Sequence, residues 1–403
     1  MTSVAGASGE WARTVRALYL VAMAVFVVTV LIGIVNGLDL YEFSHDEILT
    51  HVHSGTLGWI TLGLVASAAW LSRGIDRRLA ITLAILIPIY VALFYLAIGS
   101  LRAISGVLVL VAILWLVVWA WRTASASRSL PALALALGFT TFTYGAIIGV
   151  LRQVQLAGGP NLFPPTADPI GAHASAMVFS YLILAAMGLL EWRLLTTADR
   201  PRGGVIQVVL LFVGGLVISG ALLFLTADGQ QAAAGLYLLL ELVAVVVFVV
   251  RVVPRSLRVD WGTDVSGAHL AASALFVPVA TAVFLIVIYR FIADPSLTQD
   301  PTPVIGILTA SDHAAFIGVV TNLLFGLLFS LTADRRDRWP WADRLVLWGM
   351  NLGLVVFLVG LIASVTILKQ IGAPVMGLSI LLGMAVLGGR LWTSGLEVEP
   401  ARS

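Results

Sequence analysis

The sequence predicts an all-α integral membrane protein with twelve transmembrane helices. Hydrophobic residues make up 60% of the 403-residue chain and charged residues only 11%, whereas a soluble domain carries roughly 25% charged residues. The apolar residues fall into twelve runs, each close to the roughly 20 residues that a spanning helix needs. We expect a single membrane domain over residues 1–403, built from three four-helix units (about 1–128, 129–258 and 259–403) with pseudo-threefold symmetry.

The predicted spans follow one another with short breaks that carry Arg, Asp, Gly or Pro. The break at 72–78 reads Ser-Arg-Gly-Ile-Asp-Arg-Arg, and the break at 333–338 reads Ala-Asp-Arg-Arg-Asp-Arg. Charged side chains of this kind are costly in hydrocarbon and therefore mark the ends of spans. In chain order the predicted spans are 14–38, 47–72, 79–99, 102–121, 130–151, 169–195, 204–226, 230–253, 266–291, 305–333, 343–367 and 373–392.

The distribution of basic residues predicts the orientation in the membrane. With the N-terminus in the cytoplasm, 19 of the 23 basic residues fall in inner segments, as the positive-inside rule requires. A count wrong by one span would destroy this alternation. We therefore expect a multi-pass protein of the cell membrane with both termini cytoplasmic. The outer segments hold Arg102, Arg152, Arg290 and Lys369.

The absence of cysteine limits the chemistry. With no cysteine in the chain, disulfides, thiolate metal sites and covalent attachment of c-type haem are excluded. A bound metal would need His, Met, carboxylate or carbonyl ligands.

Histidines at the outer ends of three spans are the candidate ligands. Each of these spans is four spans from the next, and a buried imidazole there is costly unless it binds something. The candidates are His51 and His53 on the second span, His173 on the sixth and His313 on the tenth. We interpret His45 as a loop residue, with an external cation site as the alternative, and His269 as a structural residue near the inner end of the ninth span.

A short internal repeat relates these spans. Glycine recurs five residues after His53 and after His313, and threonine recurs eight residues after each. The sixth span has Val178 and Tyr181 at the corresponding positions after His173. This spacing predicts that His53, His173 and His313 lie at one depth around a pseudo-threefold axis.

The two neighbouring histidines face different directions. Residues two apart on an α-helix project about 200° apart. His51 and His53 are therefore predicted to serve two sites on opposite flanks of one helix. Two haems, or one haem and a separate metal, would suit this geometry, because neutral imidazole is a good axial ligand.

The segment around these histidines resembles a known motif. His51-Val52-His53-Ser54-Gly55-Thr56-Leu57-Gly58-Trp59 is similar to the His-Val-His-Ser-Gly-Ala-Leu-Gly-Trp motif of the catalytic subunit of cbb-type cytochrome oxidases. That subunit belongs to the haem-copper oxidase superfamily, which includes nitric oxide reductases. The resemblance implies twelve spans in three arcs, haems in the outer half of the membrane, and one histidine on each of two haems. A looser resemblance is to the twelve-span NnrS-type haem proteins, which are linked to nitric oxide metabolism.

The chain departs from the oxidase pattern in two respects. The family carries the paired histidines on the tenth span, whereas here they lie on the second. The family's copper site uses three histidines on the sixth and seventh spans, and this chain has only His173 there. An incomplete copper site favours nitric oxide over oxygen as the gas.

The resemblance implies a role for each histidine. His53 and His313 are expected to hold a low-spin haem of the b type. His51 would then be the axial ligand of a second haem, and His173 a ligand of a facing copper or other metal. The expected function is redox chemistry on, or binding of, nitric oxide or oxygen, and an oxidoreductase of the nitric oxide reductase or terminal oxidase kind is one form of it. The expected partners are membrane lipid, a diatomic gas and an electron-donor protein or quinol, with no nucleic acid.

Two other functions are compatible with the same residues. One is a twelve-span proton- or metal-coupled transporter without haem, and the other is a non-catalytic haem gas sensor or electron-transfer subunit. Glu241, in the middle of the eighth span, is a candidate for a proton path because intramembrane carboxylates are costly and often functional. Its alternative role is a hydrogen bond to a neighbouring helix.

Overall fold

The computed structural model describes residues 4–96, 99–195, 199–298 and 300–393. Within these ranges the chain is helical and contains no β-strand. Twelve helices there are long and apolar enough to cross a membrane, which confirms the predicted fold class and the number of spans.

The twelve helices are numbered in chain order. Several begin at a side chain that caps the first turn by accepting a backbone N–H; these caps are Ser44, Asp76, Ser129, Asp168 and Asp264. The helices are α1 Val4–Gly37, α2 His45–Ser72, α3 Arg77–Tyr95, α4 Gly99–Ser127, α5 Leu130–Leu156, α6 Pro169–Leu194, α7 Arg202–Phe224, α8 Ala227–Ser256, α9 Val265–Ala293, α10 Thr302–Leu331, α11 Pro340–Ile362 and α12 Thr366–Thr393.

One difference from the predicted spans lies at the start of α12. The sequence predicts a start near 373, but the helix begins at Thr366, after a turn in which Ser364 has a φ of 54°. Lys369 and Gln370 look like a polar break in the sequence. Both residues lie inside the helix, and their side chains donate hydrogen bonds to the carboxylate of Asp39, at 2.6 and 3.3 Å.

Three helices form the centre of the bundle. α2, α6 and α10 are surrounded by the other nine, which contact one another in chain order, α1–α3–α4–α5–α7–α8–α9–α11–α12, and close the ring through α12 and α1. The most apolar parts of the central helices are 83%, 71% and 83% buried inside the protein. The boundaries of the three predicted four-helix units stay a prediction, although this packing fits them.

The central helices divide the interior into three sectors, named here for the helices that enclose them. Sector A lies between α2 and α6 and is bounded by α3, α4 and α5. Sector B lies between α6 and α10 and is bounded by α7, α8 and α9. Sector C lies between α10 and α2 and is bounded by α11, α12 and α1.

Each central helix contains a π-helical stretch. In such a stretch the backbone N–H bonds to the carbonyl five residues earlier, and π-helical turns are frequent at functional sites. The hydroxyls of Thr61 and Thr321 follow the same spacing and donate to the carbonyls five residues before them. The stretches are Ser54–Thr61, Ala176–Leu182 and Ala314–Thr321.

Polar side chains join the central helices to one another within these stretches. Trp59 donates its indole N–H to Thr321 at 3.0 Å and thereby links α2 to α10. Tyr181 donates its hydroxyl to Thr61 at 3.2 Å and links α6 to α2. All four residues are fully buried, so these bonds fix the central helices against each other.

Candidate functional site

Four histidine side chains are anchored on the backbone through Nδ1. The Nδ1 of each lies within hydrogen-bond distance of a backbone carbonyl, which can only accept, so Nδ1 must carry the proton. The lone pair of Nε2 is then available, which is the arrangement found in histidines that bind metals. The bonds are His51–Thr29 at 2.9 Å, His53–Leu49 at 2.7 Å, His173–Gly145 at 2.8 Å and His313–Thr309 at 2.8 Å.

His51 and His173 are anchored in the same way. Each bonds to a carbonyl on the outer helix that precedes its own helix, Thr29 on α1 or Gly145 on α5. In both cases a glycine lies four residues after that carbonyl, on the same helix face. A Cβ at Gly33 would lie 3.1 Å from the Cε1 of His51, and a Cβ at Gly149 would lie 2.9 Å from the Cε1 of His173. The glycines therefore make room for the two imidazoles.

His53 and His313 share a different arrangement. Each bonds to the carbonyl four residues earlier in its own helix, and each contacts an aromatic ring from the next outer helix. Phe94 on α3 stacks on His53 with ring centroids 4.0 Å apart, and Phe357 on α11 meets His313 at 4.9 Å. His51 and His53 thus lie against different outer helices, as the 200° projection predicts.

The four histidines form two pairs. His51 faces sector C through Thr29 on α1, and His313 faces the same sector through Phe357 on α11. His53 faces sector A through Phe94 on α3, and His173 faces it through Gly145 on α5. Each pair contains one histidine of each kind. This pairing differs from the predicted one, which joins His53 to His313. The difference arises because His53 faces α3, on the side of α2 away from α10.

The repeat also has a different register from the one that the sequence suggests. The π-helical stretches begin directly after His53, Ser175 and His313. On this register Ser175 occupies the position of His53, and His173 occupies that of His51. The carbonyl anchors agree with this register, which makes His173 the counterpart of His51. The placing of His53, His173 and His313 at one depth stays a prediction.

Sector B has the same framework without histidines. Ser311 occupies the position of His51 and donates to the carbonyl of Ala280 on α9, at 3.4 Å. Four residues after that carbonyl stands Phe284, where sectors A and C have glycine, and its ring packs edge-on against Tyr237 with centroids 6.0 Å apart. Phe284 is buried, so at this position sector B carries a large aromatic side chain in place of the glycine.

Glu241 lies in sector B. It is fully buried on α8 and accepts a long hydrogen bond, 3.4 Å, from Thr281 on α9. This contact fits the alternative role of a carboxyl bonded to a neighbouring helix. The proton-path role stays a prediction, and in either role Glu241 belongs to a different sector from the histidine pairs.

The remaining two histidines lie outside both pairs. His269 bonds through Nδ1 to Asn322 at 2.9 Å, and Asn322 in turn exchanges hydrogen bonds with Asn351 on α11. This network links α9, α10 and α11, in keeping with the predicted structural role. His45 is exposed and is the first residue of α2 rather than a loop residue.

The donor set consists of two histidines in each of two sectors. Among residues 4–96, 99–195, 199–298 and 300–393, no three His, Asp or Glu side chains are grouped to hold a metal ion. A neutral imidazole whose Nδ1 is fixed on a carbonyl could act as a ligand of a haem iron through Nε2.

Sequence reasoning missed the groups that orient the histidines. The cradle of His173 does leave a signal, because Gly145 and Gly149 form a small-xxx-small pattern in α5. The cradle of His51 is less visible, since it consists of Thr29 and Gly33 in an ordinary apolar span. Phe94 and Phe357 give no signal in the sequence, because aromatic residues are common in every span.

Comparison with known proteins gives no relative on which to base a function. No model of a known protein family matches the chain, and no curated protein is significantly similar to it.

Proposed function

We propose that this protein binds two b-type haems in the membrane, one between His51 and His313 and one between His53 and His173, and uses them in redox chemistry with nitric oxide or oxygen. The observation that carries the proposal is the pairing of four imidazoles whose Nδ1 atoms are fixed on backbone carbonyls. The absence of cysteine excludes covalent attachment of a c-type haem and is compatible with the b type.

The chain's own residues would set the geometry of each site. Bound haem would supply one-electron redox chemistry and a metal for diatomic gases. The carbonyl anchors hold the tautomer and orientation of each imidazole and raise its basicity. Both sites share α2, so the two haems would lie on opposite sides of a single helix, which favours the passage of electrons between them.

Ligation by two histidines has a consequence for gas binding. A haem held by two histidines would bind nitric oxide or oxygen only at the expense of one of those two bonds. Each pair contains one histidine whose hydrogen bond lies within its own helix, His53 or His313. These two would be the less firmly anchored ligands of their pairs.

The orientation and partners belong to the same proposal. Both termini would be cytoplasmic and the histidines would lie in the outer half of the cell membrane, which the distribution of basic residues supports. Electrons would come from a donor protein or a quinol. Nitric oxide remains favoured over oxygen because the three-histidine copper site of the oxidases has no counterpart in the sequence.

A haem assay on the purified protein tests the proposal. The chain is made in a haem-replete host, and haem per chain is measured as the pyridine haemochrome, together with metal analysis. Two haems and no copper are expected. A result of one haem and one copper per chain would indicate a metal at His173 in place of the second haem. Protein without haem would favour the transporter function. Turnover of nitric oxide or oxygen by the reduced protein then separates an enzyme from a sensor or an electron-transfer subunit.

A further inference from the structure

A cavity of about 430 Å³ opens at the end of the bundle opposite the histidine pairs. It lies where the ends of α6, α8, α9 and α10 meet, below sector B. Its volume falls in the range of sites for small molecules, roughly 300–1,000 Å³. Phe329 and Leu270 form its buried apolar wall.

Three arginines from three different segments converge on this cavity. Arg193 ends α6, Arg255 ends α8, and Arg336 follows α10, while Asp264 is the only carboxylate in the lining. The lining residues therefore carry a net charge of +2 (three Arg against one Asp). One oxygen of Asp264 already accepts the backbone N–H of Gly267.

Among the described residues, Arg255 and Arg336 have no carboxylate within hydrogen-bond distance. Arg193 donates to the neutral hydroxyl of Ser330 at 2.6 Å. Arg336 donates to the carbonyl of Thr263 and lies 3.9 Å from a carboxylate oxygen of Asp343. For Arg255 no hydrogen bond or ion pair to another described residue is observed, and its side chain is exposed.

The backbone of α9 adds to the positive field. Ser266 and Gly267, in the first turn of this 29-residue helix, line the same cavity. The start of a long helix carries a partial positive charge. Guanidinium groups match the oxygens of a phosphate bidentately.

We infer that this cavity binds a phosphate-bearing anion, either the headgroup of an anionic lipid or a soluble phosphate. The lipid source fits the position of the cavity, because basic pockets between transmembrane helices bind anionic headgroups. The inference is independent of the haem proposal, since the cavity shares no residue with the histidine pairs.

The test measures binding of phosphatidylglycerol, phosphatidylcholine and inorganic phosphate to the full-length protein in neutral detergent, by native mass spectrometry and thermal shift. Phosphatidylglycerol is expected to bind more tightly than phosphatidylcholine. Arg255→Gln and Arg336→Gln should each weaken that binding about tenfold, because each removes a charged hydrogen-bond donor. Arg258→Gln, which changes an exposed arginine outside the cavity at the same end, is the matched control.

A variant that should strengthen anion binding distinguishes an effect on the cavity from misfolding. Asp264→Asn keeps a side chain able to cap α9 but removes the only negative charge of the lining, and it should tighten anion binding. If inorganic phosphate binds as tightly as the lipid and with the same dependence on the variants, the ligand is a soluble phosphate. Equal affinities of Arg255→Gln, Arg336→Gln, Asp264→Asn and Arg258→Gln for both probes would overturn the inference.

Discussion

The hydroxyl of Ser311 points to the backbone carbonyl of Ala280, 3.4 Å away. His51 bonds to the carbonyl of Thr29 and His173 to that of Gly145 in the same way. In each case the bond joins a central helix to the outer helix that precedes it in the chain. One structural framework therefore occurs three times around the centre of the bundle. Two copies carry a histidine with a glycine beside it, and the third carries Ser311 with Phe284 in place of the glycine.

The first prediction concerns the pairing of the histidines. His51→Ala and His313→Ala should each remove one haem, because these two histidines hold it together. His53→Ala and His173→Ala should each remove the other haem. The double variant His51→Ala/His313→Ala should lose no more haem than either single variant. Haem per chain and reduced-minus-oxidised spectra give the result, and His45→Ala is the exposed control. If His53→Ala and His313→Ala instead abolish the same spectral signal, the pairing expected from the sequence is correct.

The second prediction concerns the glycine cradles. Gly149→Ala should weaken retention of the haem of sector A, because the new Cβ would lie 2.9 Å from the ring of His173. Gly33→Ala should weaken the other site less, since its Cβ would lie 3.1 Å from His51. We expect roughly tenfold weaker haem retention for Gly149→Ala, because a ligand displaced by a few tenths of an ångström loses its productive geometry. Haem retention is measured during transfer to apomyoglobin.

Gly235→Ala is the matched control for the cradles. Gly235 is exposed on α8 with no other side chain within 4 Å of the new Cβ. The substitution raises helix propensity as the other two do. A loss of haem from this control as large as that from Gly149→Ala would mean that the effect does not come from the histidine.

The third prediction separates Glu241 from the histidine pairs. Glu241→Gln should leave the haem content unchanged, because the carboxyl lies in sector B. If the carboxyl carries protons, turnover of the reduced protein should fall about 10²-fold or more, the usual contribution of a positioned proton-transfer group. Glu241→Asp should restore part of the turnover. Unchanged turnover of Glu241→Gln would mean that the carboxyl does not carry protons and that its role is the hydrogen bond with Thr281.

The fourth prediction concerns the buried ion pair that joins α6 to α8. Arg251 bonds to both carboxylate oxygens of Glu191, at 2.8 and 2.7 Å, and Glu191 is fully buried. Arg251→Met should destabilise the protein by about 3–5 kcal/mol, because it leaves a buried charge without its partner. The double variant Glu191→Met/Arg251→Met should recover much of that loss. Thermal unfolding in detergent measures both, and a double variant no more stable than the single one would contradict the explanation.

The fifth prediction concerns pH and the contact between Asp39 and Lys369. The hydrogen bond from Lys369 lowers the pKa of the Asp39 carboxyl from its ordinary value of 3.8. A lowered folded-state pKa stabilises the fold above the unfolded pKa, and this stabilisation is lost as the pH falls through the folded value. Asp39→Asn should therefore lower the melting temperature slightly and equally between about pH 5 and 8.

The difference between wild type and Asp39→Asn should shrink as the pH falls below 3.8, the ordinary pKa of the carboxyl. Glu42→Gln, in the same loop, is the control for removing one carboxylate from this surface. A difference between wild type and Asp39→Asn that stays constant to the lowest pH would show that the carboxylate charge is not involved.

The sequence by itself determined the membrane architecture. Twelve apolar runs require twelve spanning helices, because hydrocarbon leaves the backbone no other hydrogen-bond partner. The positions of His51 and His53 in one helix required them to face different neighbours, since residues two apart project to opposite sides. Neither conclusion depends on which helices pack together.

Only the tertiary structure decided which histidines share a site. The sequence predicts His173 as the equivalent of His53. Whether His173 or Ser175 holds that place depends on where the π-helical stretch begins and on which carbonyl of α5 lies within reach. The role of Phe284 likewise depends on the packing of α9 against the part of α10 that carries Ser311. These are contacts between helices far apart in the chain, and a side chain's partner across a helix interface is set by the packing of both helices, not by its own neighbours in sequence.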